Sequence, residues 1–231
     1  MLFFKSTIRI SDTSILNGFT DCHCHLLPGV DDGVKRMEDT LKLLDMMQRR
    51  GVREVWLTPH IMEEYPNNPE DLRRHFGSIP YDGPMKLCLA AEHMLDSEFS
   101  IGRSSMLTLP DNQLLVETSY FTPPLNLKDT FSDIKAAGLN PVLAHPCRYQ
   151  YMEYENYEEL HSLGIRFQLN VPALAGLYGP AAKNNAEWIL DHGYYSLAGS
   201  DIHSITHFRH FLDSKISRKV LKKVRVLIGN E

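Results

Sequence analysis

Phe19-Thr20-Asp21-Cys22-His23-Cys24-His25, continued by Leu26-Leu27-Pro28-Gly29-Val30-Asp31-Asp32-Gly33, is the stretch on which the reading of this chain turns. On an extended strand alternate side chains leave opposite faces, so Asp21, His23 and His25 share one side while Cys22 and Cys24 take the other. Two imidazoles converging on one point, with carboxylates arriving just past a Pro-Gly turn, are what a divalent metal site requires. The same residues also read as two ordinary histidines on a β-rich segment, because a His-x-His match is short. The rest of the chain decides between these readings.

Immediately downstream, residues 37–50 place Met37, Leu41 and Leu44 on one helical face, with Glu38 and Asp39 in the first turn and Arg49 and Arg50 in the last. Gly51 stops that helix, and an apolar strand over residues 52–58 delivers Pro59-His60. The sequence of events recurs. Ala136-Ala137-Gly138 precedes residues 141–144, Ser162-Leu163-Gly164 precedes 165–171, and Asp191-His192-Gly193 precedes 194–198. Helix, glycine cap and buried strand in succession are the rhythm of βα units around a parallel sheet. Residues 86–91 and 113–116 supply two further strands, which makes seven counted from Phe19. Ahead of them residues 1–18 read as an arm, since Ser11-Asp12-Thr13-Ser14 and Gly18 break any regular pattern. No shift in composition marks a second domain, and α/β barrels reach this length as one unit.

Polar residues fall at one place in that rhythm. His25, His60, Glu92, Glu117, His145 and Asp201 each stand at or just beyond the C-terminal end of a different strand, the edge where parallel barrels build their sites. Only the sixth strand, ending at Asn170, lacks such a group. A single His or Glu after a strand is ordinarily a satisfied polar group or a cap; six at equivalent positions predict a polynuclear metal site.

Composition narrows the function classes. The 231 residues carry a net charge of -5 with both signs mixed along the chain, so no basic surface is offered to nucleic acid or anionic lipid. No apolar run is long enough to insert into a bilayer and no signal-peptide pattern opens the chain, which points to the cytoplasm. Cys22, Cys24, Cys88 and Cys147 lack disulfide or zinc-knuckle spacing. Thiol phosphatase chemistry needs an arginine six positions after its cysteine, where this chain has Pro28, Val30, Met94 and Glu153. Gly-x-Ser-x-Gly and Gly-x-x-x-x-Gly-Lys are absent. A barrel amidohydrolase would want a bridging lysine after a middle strand, and the strand ends offer Glu92 and Glu117 instead.

The ordered strings from Asp21 to Gly33, Leu57-Thr58-Pro59-His60, Ala91-Glu92, Val116-Glu117, Ala144-His145-Pro146 with Arg148, and Gly199-Ser200-Asp201-Ile202-His203 resemble the polymerase and histidinol phosphatase (PHP) family over residues 19 to about 210. Within it they are most similar to the bacterial protein tyrosine phosphatases of capsule and exopolysaccharide synthesis. The resemblance implies a distorted TIM-like barrel of seven βα units over residues 19–231, holding three metal ions, Mn²⁺ by preference with Fe or Zn²⁺ as alternatives. It implies His23, His25, Glu92 and Asp201 on the first ion, Glu92, Glu117 and His145 on the second, and Asp32, His60 and His203 on the third. Mixed nitrogen and oxygen ligands suit such metals independently of the family. Clustered metals neutralise a phosphate dianion and lower the pKa of bound water from 15.7 toward about 7, so that a metal-held hydroxide can attack phosphorus in line.

Arg148 would clamp the phosphate, and with Asp32, His60 and His203 it makes up the expected catalytic set; its other reading is a surface arginine. The implied partner is a phosphotyrosine protein, a tyrosine kinase of bacterial polysaccharide export, with no nucleic acid and no membrane insertion. Alternatives are a small-molecule phosphatase of the histidinol phosphate kind and a weakly active metal-binding regulatory protein. The regulatory alternative rests on Cys147, which stands where the family usually has an acidic residue. Residues 71–86 are also shorter than the family's usual connection. Tyr149, Tyr151, Tyr154 and Tyr157 are candidates to flank an aryl ring, Asp31 a cap or partner of Asp32, and His93 and His207 surface groups by default. Basic residues between 215 and 225 alternate with apolar ones at helical spacing, as in a solvated closing helix.

Overall fold

The computed structural model describes residues 6–102 and 106–229. In chain order it contains β1 (Thr7–Arg9), β2 (Thr20–Cys24), α1 (Met37–Gln48), β3 (Glu54–Leu57), β4 (His60–Ile61), α2 (Pro69–Gly77), β5 (Lys86–Leu89), β6 (Glu92–Met94) and β7 (Gln113–Glu117). Then follow α3 (Leu127–Ala136), β8 (Asn140–Leu143), α4 (Tyr154–Ser162), β9 (Arg166–Asn170), α5 (Val171–Leu174), α6 (Gly179–Asp191), β10 (Tyr195–Gly199), α7 (Ile205–Asp213), β11 (Lys215–Ser217) and α8 (Arg218–Leu227). Of the expected arm, residues 1–5 lie outside the described residues. Its remainder is tied down, because β1 pairs antiparallel with β11 and sets Ile8 opposite Ile216.

All other strand pairs are parallel and fall into two sheets, one in the order β10-β9-β8-β7-β6-β4 and one in the order β2-β3-β5. No single closed barrel is formed by these pairings among the described residues. Pro59, which has no N–H to give to a ladder, separates β3 from β4. Yet the register survives the break: Leu57 pairs with Leu89 and His60 with Glu92, the same offset on both sides. Ala90 N–H to the Leu57 carbonyl (2.9 Å) and Glu92 N–H to the Pro59 carbonyl (3.1 Å) bridge the gap. At the other edge the end of β2 meets the end of β10. Asp201 N–H donates to the His23 carbonyl (2.7 Å) and His25 N–H to the Ile202 carbonyl (2.9 Å).

Helices cover the sheets because their apolar stripes require it. The stripe of α1 is Thr40, Leu43, Leu44 and Met47, one position round from the expected Met37, Leu41 and Leu44, the first two of which are only partly covered. Its end is the expected glycine stop: Gly51 (φ +81°) donates to the Gln48 carbonyl and Val52 to that of Met47. The same paired bonds close the helices before Gly138, Gly164 and Gly193, each just ahead of a strand. β7 is buried along its whole length, as a strand covered on both faces must be. No helix among the described residues is long and apolar enough to cross a membrane.

Candidate metal centre

Every residue of the expected ligand set reaches one region: His23 from within β2, Glu117 from the end of β7, His25, His145, Asp201 and His203 from just beyond β2, β8 and β10, Asp32 from the loop after β2, and His60 and Glu92 from the opening of β4 and β6, where each strand resumes after a break. His23 and His25 are fully buried, and their Nε2 atoms face each other at 3.2 Å. Glu92 Oε2 lies 3.1 Å from the first and 3.2 Å from the second; Asp201 Oδ1 lies 3.7 and 3.5 Å away. The far nitrogen of each ring has its own acceptor. His25 Nδ1 meets Asp31 Oδ2 at 2.8 Å and His23 Nδ1 meets Gln168 Oε1 at 3.1 Å. A proton fixed on Nδ1 leaves the Nε2 lone pair for the centre, the usual arrangement of a ligating histidine.

Around this pair the other groups fall into two more clusters, one of His60, Glu92 and Glu117, the other of His25, Asp32, His60 and His203. His60 joins them. Its Nδ1 lies 3.0 Å from Glu117 Oε1 and 3.3 Å from Glu92 Oε2, while its Nε2 lies 3.4 Å from Asp32 Oδ1. The expected grouping put His60 only with Asp32 and His203, so the ring stands between the second and third groups. His145 Nε2 approaches Glu92 Oε1 at 2.9 Å and Glu117 Oε2 at 3.8 Å. His203 has Nδ1 on the Asp201 backbone carbonyl (2.8 Å) and Nε2 3.6 Å from Asp32.

The donor set fits divalent cations. Glu92 Oε2, Glu117 Oε1 and His60 Nδ1 are buried without a hydrogen bond of acceptable geometry, and buried carboxylate oxygens are costly in that state. The carboxylates draw positive charge strongly. Burial opposes the charged form of His60, but Asp32, Glu117 and Glu92 outweigh it and lift its pKa to about 12. His25 rises to about 10 through Asp31 and Glu92, against burial and the charge of His60. His203 goes the other way, to about 4, because burial and the charge of His25 prevail.

Backbone conformation is bent to the same purpose. His145 (φ +33°) and Asp201 (φ +53°) occupy the left-handed region that non-glycine residues avoid, a strain of about 1–3 kcal/mol each by general experience. Gly33 and Gly199 press directly on the histidines. A Cβ at Gly33 would lie 2.2 Å from the His25 carbonyl oxygen, and one at Gly199 would lie 2.6 Å from His23 Cβ.

Arg148 closes one side. Its Nη1 donates to Asp201 Oδ2 (2.8 Å), and its guanidinium is sandwiched between the rings of Tyr120 and Tyr178 at 4.4 and 4.3 Å. These three residues line a cavity of about 310 Å³ together with Asp32, His60, Glu92, His145, Asp201, His203 and His207.

Several expectations change here. Asp31 braces His25 rather than Asp32. Gln168 and Asn170, on the strand that ends without a metal-ligating type, hold His23 and Asp201; Asn170 Nδ2 donates to Asp201 Oδ2 at 2.9 Å. Their alternation on β9 was a signal, but amides are not metal ligands by type. Tyr149 and Tyr157 are core residues, and the aromatic groups at the site are Tyr120 and Tyr178. His207 lines the cavity with its Nε2 3.3 Å from the Tyr178 hydroxyl, and His93 is buried. Cys147 is buried beside Tyr195, and burial pushes its thiol up to about 12, so it is no reactive thiol.

Comparison with known proteins places this geometry among relatives. The family described as "Capsular polysaccharide synthesis, CpsB/CapC" matches residues 19–225. The chain is 27% identical over 197 residues to the tyrosine-protein phosphatase YwqE of Bacillus subtilis (strain 168), covering 80% of this chain and 77% of that one. To the tyrosine-protein phosphatase CpsB of Streptococcus pneumoniae it is 27% identical over 201 residues, covering 80% and 83%. A solved structure from work on YwqE and CpsB, described there as "unique metal-dependent tyrosine phosphatases", shares the fold. Its TM-score is 0.69 at 23% identity, over 92% of this chain and 95% of that one.

Proposed function

The chain belongs to the CpsB/CapC family of capsular polysaccharide synthesis, and on that premise we propose that it is a metal-dependent phosphomonoesterase that removes phosphate from tyrosine in proteins. The observation that carries the reading is the convergence of partnerless buried carboxylate oxygens on Glu92 and Glu117 with five histidine rings, two of which, His23 and His25, already have their far nitrogens engaged. His23, His25, Glu92 and Asp201 would hold one ion, Glu92, Glu117 and His145 a second, and Asp32, His60 and His203 a third. Mn²⁺ is the favoured metal. When bound, such ions neutralise phosphate oxygens and supply an activated water at neutral pH.

The chain's own residues do the rest. Arg148, held flat between two tyrosine rings, presents N–H donors to the cavity that would receive the phosphate, where planar donors can bind two oxygens at once. Tyr120 and Tyr178 extend the same wall as aromatic surface, suited to an aryl ester. A phenolate leaves as the conjugate base of a pKa ≈ 10 acid, so little help is needed from a proton donor. The natural substrate on this reading is a phosphotyrosine-bearing kinase of polysaccharide export in the cytoplasm. We also read the two sheets as halves of one distorted seven-unit barrel over residues 19–231, supported by the unbroken register across Pro59 and the bonds between His23 and Asp201.

The test is hydrolysis of p-nitrophenyl phosphate by chelator-stripped protein, with and without Mn²⁺, Fe²⁺ or Zn²⁺, alongside His23→Ala. Turnover that requires metal and disappears in the variant is expected, with a phosphotyrosine peptide preferred to histidinol phosphate. Absence of turnover with all three metals would sink the reading.

A further inference from the structure

The sandwich of Tyr120, Arg148 and Tyr178 has a second side. Besides the catalytic cavity, these three residues line an open groove of about 620 Å³, twice the 310 Å³ of that cavity. Cavities of about 420 and 510 Å³ elsewhere on the surface share no lining residue with the catalytic one. A phosphotyrosine side chain can occupy the catalytic cavity, but the polypeptide that bears it has to run outside. The groove starts at the same side chains that would flank the aryl ring.

The lining says what kind of chain would lie there. Phe121, next to Tyr120, is 69% exposed. The Tyr120 carbonyl accepts the Gln150 N–H at 2.8 Å, so Phe121 and the exposed Gln150 stand on one lip. The first turn of α6 contributes Ala181 and Ala182, whose small side chains leave the space open. Gln150 brings an amide that can donate and accept, as an extended backbone requires, and Asn185 gives its Nδ2 to the Cys147 carbonyl (3.4 Å), which leaves Oδ1 to accept an N–H. Two charged residues line the groove and each is already answered: Arg148 by Asp201 Oδ2 (2.8 Å), Glu153 by the N-terminus of α4, where it is the N-cap. An ionic side chain therefore finds no free counter-charge among the described lining residues, whereas an apolar one finds an uncovered phenyl ring.

We propose that this groove binds the polypeptide beside the phosphotyrosine in extended form and takes an uncharged, apolar side chain of it against Phe121 and the first turn of α6. The identity of the bound chain rests on the phosphatase reading. To that reading the groove adds a preference for apolar residues near the phosphotyrosine, which the chemistry itself does not require. Phe121 and Ala181 line the groove and not the catalytic cavity, so they hold ground state and transition state alike. Their contribution belongs in KM, with kcat unchanged.

The test uses phosphotyrosine peptides of glycine and serine in which one leucine is moved through the three positions on either side of the phosphotyrosine. Leucine at one or more of them should lower KM about fivefold, the order of a single contact with an aromatic ring. Phe121→Ala and Ala181→Gln, both at exposed positions, should abolish that gain and leave p-nitrophenyl phosphate kinetics as they are. No gain at any position, or a gain that survives both variants, would overturn the proposal. A second arm needs no turnover. Peptides with benzoylphenylalanine in place of the leucine, irradiated with the full chain, should cross-link to the segment around Phe121 or to the first turn of α6, with the leucine peptide competing. Cross-links only elsewhere would overturn the groove. Failure to hydrolyse p-nitrophenyl phosphate would instead count against the phosphatase reading, and the cross-link would still decide the groove.

Discussion

His23 and His25 sit at the floor of the centre with both ring nitrogens committed, while His60 and His203 stand at its mouth beside Asp32, whose side chain is half exposed. Floor and mouth use the same residue types but are held differently. On the floor, Gln168 and Asp31 fix the rings, and Gly33 and Gly199 let the backbone close on them. At the mouth, His203 is held through Nδ1 on the Asp201 carbonyl, but His60 is held only by its backbone, through Asp31 (3.1 Å) and Asn67 (2.9 Å), and both its ring nitrogens face carboxylates. Rigidity is therefore graded: an ion on the floor would meet pre-set lone pairs, whereas one at the mouth would find His203 pre-set and must organise the His60 ring and the half-exposed Asp32, at a cost in affinity.

Glu92 is the carboxylate nearest the facing Nε2 atoms of both floor histidines and is also within reach of His60 and His145, so its removal has the largest expected effect. Glu92→Gln should lose more kcat/KM than the ~10–100-fold that follows loss of a mere orienting group. Metal content by elemental analysis should fall by more than one ion per chain. Loss of a single ion with activity retained would show that floor and mouth are independent sites.

Next in size is the backbone support. Gly33→Ala puts a methyl group 2.2 Å from the His25 carbonyl oxygen, and backbone cannot swing aside as a side chain can. A loss of at least ~1–3 kcal/mol, the usual overpacking cost, is expected. For a chain of this length that lowers Tm by several degrees, since each kcal/mol is worth about 2–4 °C. Gly77→Ala, at the end of α2 where a Cβ meets nothing within 4 Å, is the control and should not lower Tm, and by the usual helical preference for Ala should raise it slightly.

The sequence revealed the floor and the mouth unequally. His25, His60, Glu92, Glu117, His145 and Asp201 were legible because each is a metal-ligating type at the end of an apolar run, and parallel strands bring such ends together; His23 followed from its alternation with His25, while Asp32 and His203 at the mouth were read only from the family resemblance. The braces were not legible. Gln168 is an amide mid-strand, and its contact with His23 spans 145 residues, which only the pairing of β9 with β10 and the meeting of β10 with β2 determine. Tyr120 and Tyr178 lie in connecting segments, where no periodicity says which way a ring turns. The tyrosines after Arg148 looked closer in sequence, but the short helical turn over Pro146–Arg148 carries Tyr149 back into the core, with its hydroxyl on the Ala144 carbonyl. The barrel rhythm was readable through its glycine stops; the interruption at Pro59 divides what periodicity alone suggests is continuous.

A milder pair of changes sharpens the contrast. Gln168→Leu frees His23 Nδ1 and the His145 backbone N–H, both of which the amide oxygen accepts at 3.1 Å. Metal affinity of the floor should drop ~10–100-fold. Asp32→Asn, at the half-exposed mouth, should release one ion and leave the floor affinity unchanged, as competitive chelator titration would report. Equal effects on both would mean that the bracing does not set the affinity.

The smallest expected effect concerns the wall beside both regions. Tyr178 covers one face of the Arg148 guanidinium, and its hydroxyl contacts Asn170 Nδ2 and His207 Nε2, each at 3.3 Å. Tyr178→Phe keeps the ring over the cation and removes only the hydroxyl, so kcat/KM on an aryl phosphate should change less than in Tyr178→Leu. The leucine variant forfeits a cation–π contact worth ~0.5–2 kcal/mol, or about 2–30-fold in kcat/KM. That loss should appear mainly in KM if Arg148 binds the phosphate in the ground state, and mainly in kcat if the guanidinium tightens only as the phosphoryl group transfers. Arg148→Lys decides whether the plane or the charge matters: a lysine supplies the charge without the flat fork that the two tyrosines hold in place, so it should rescue little if orientation is what the sandwich provides.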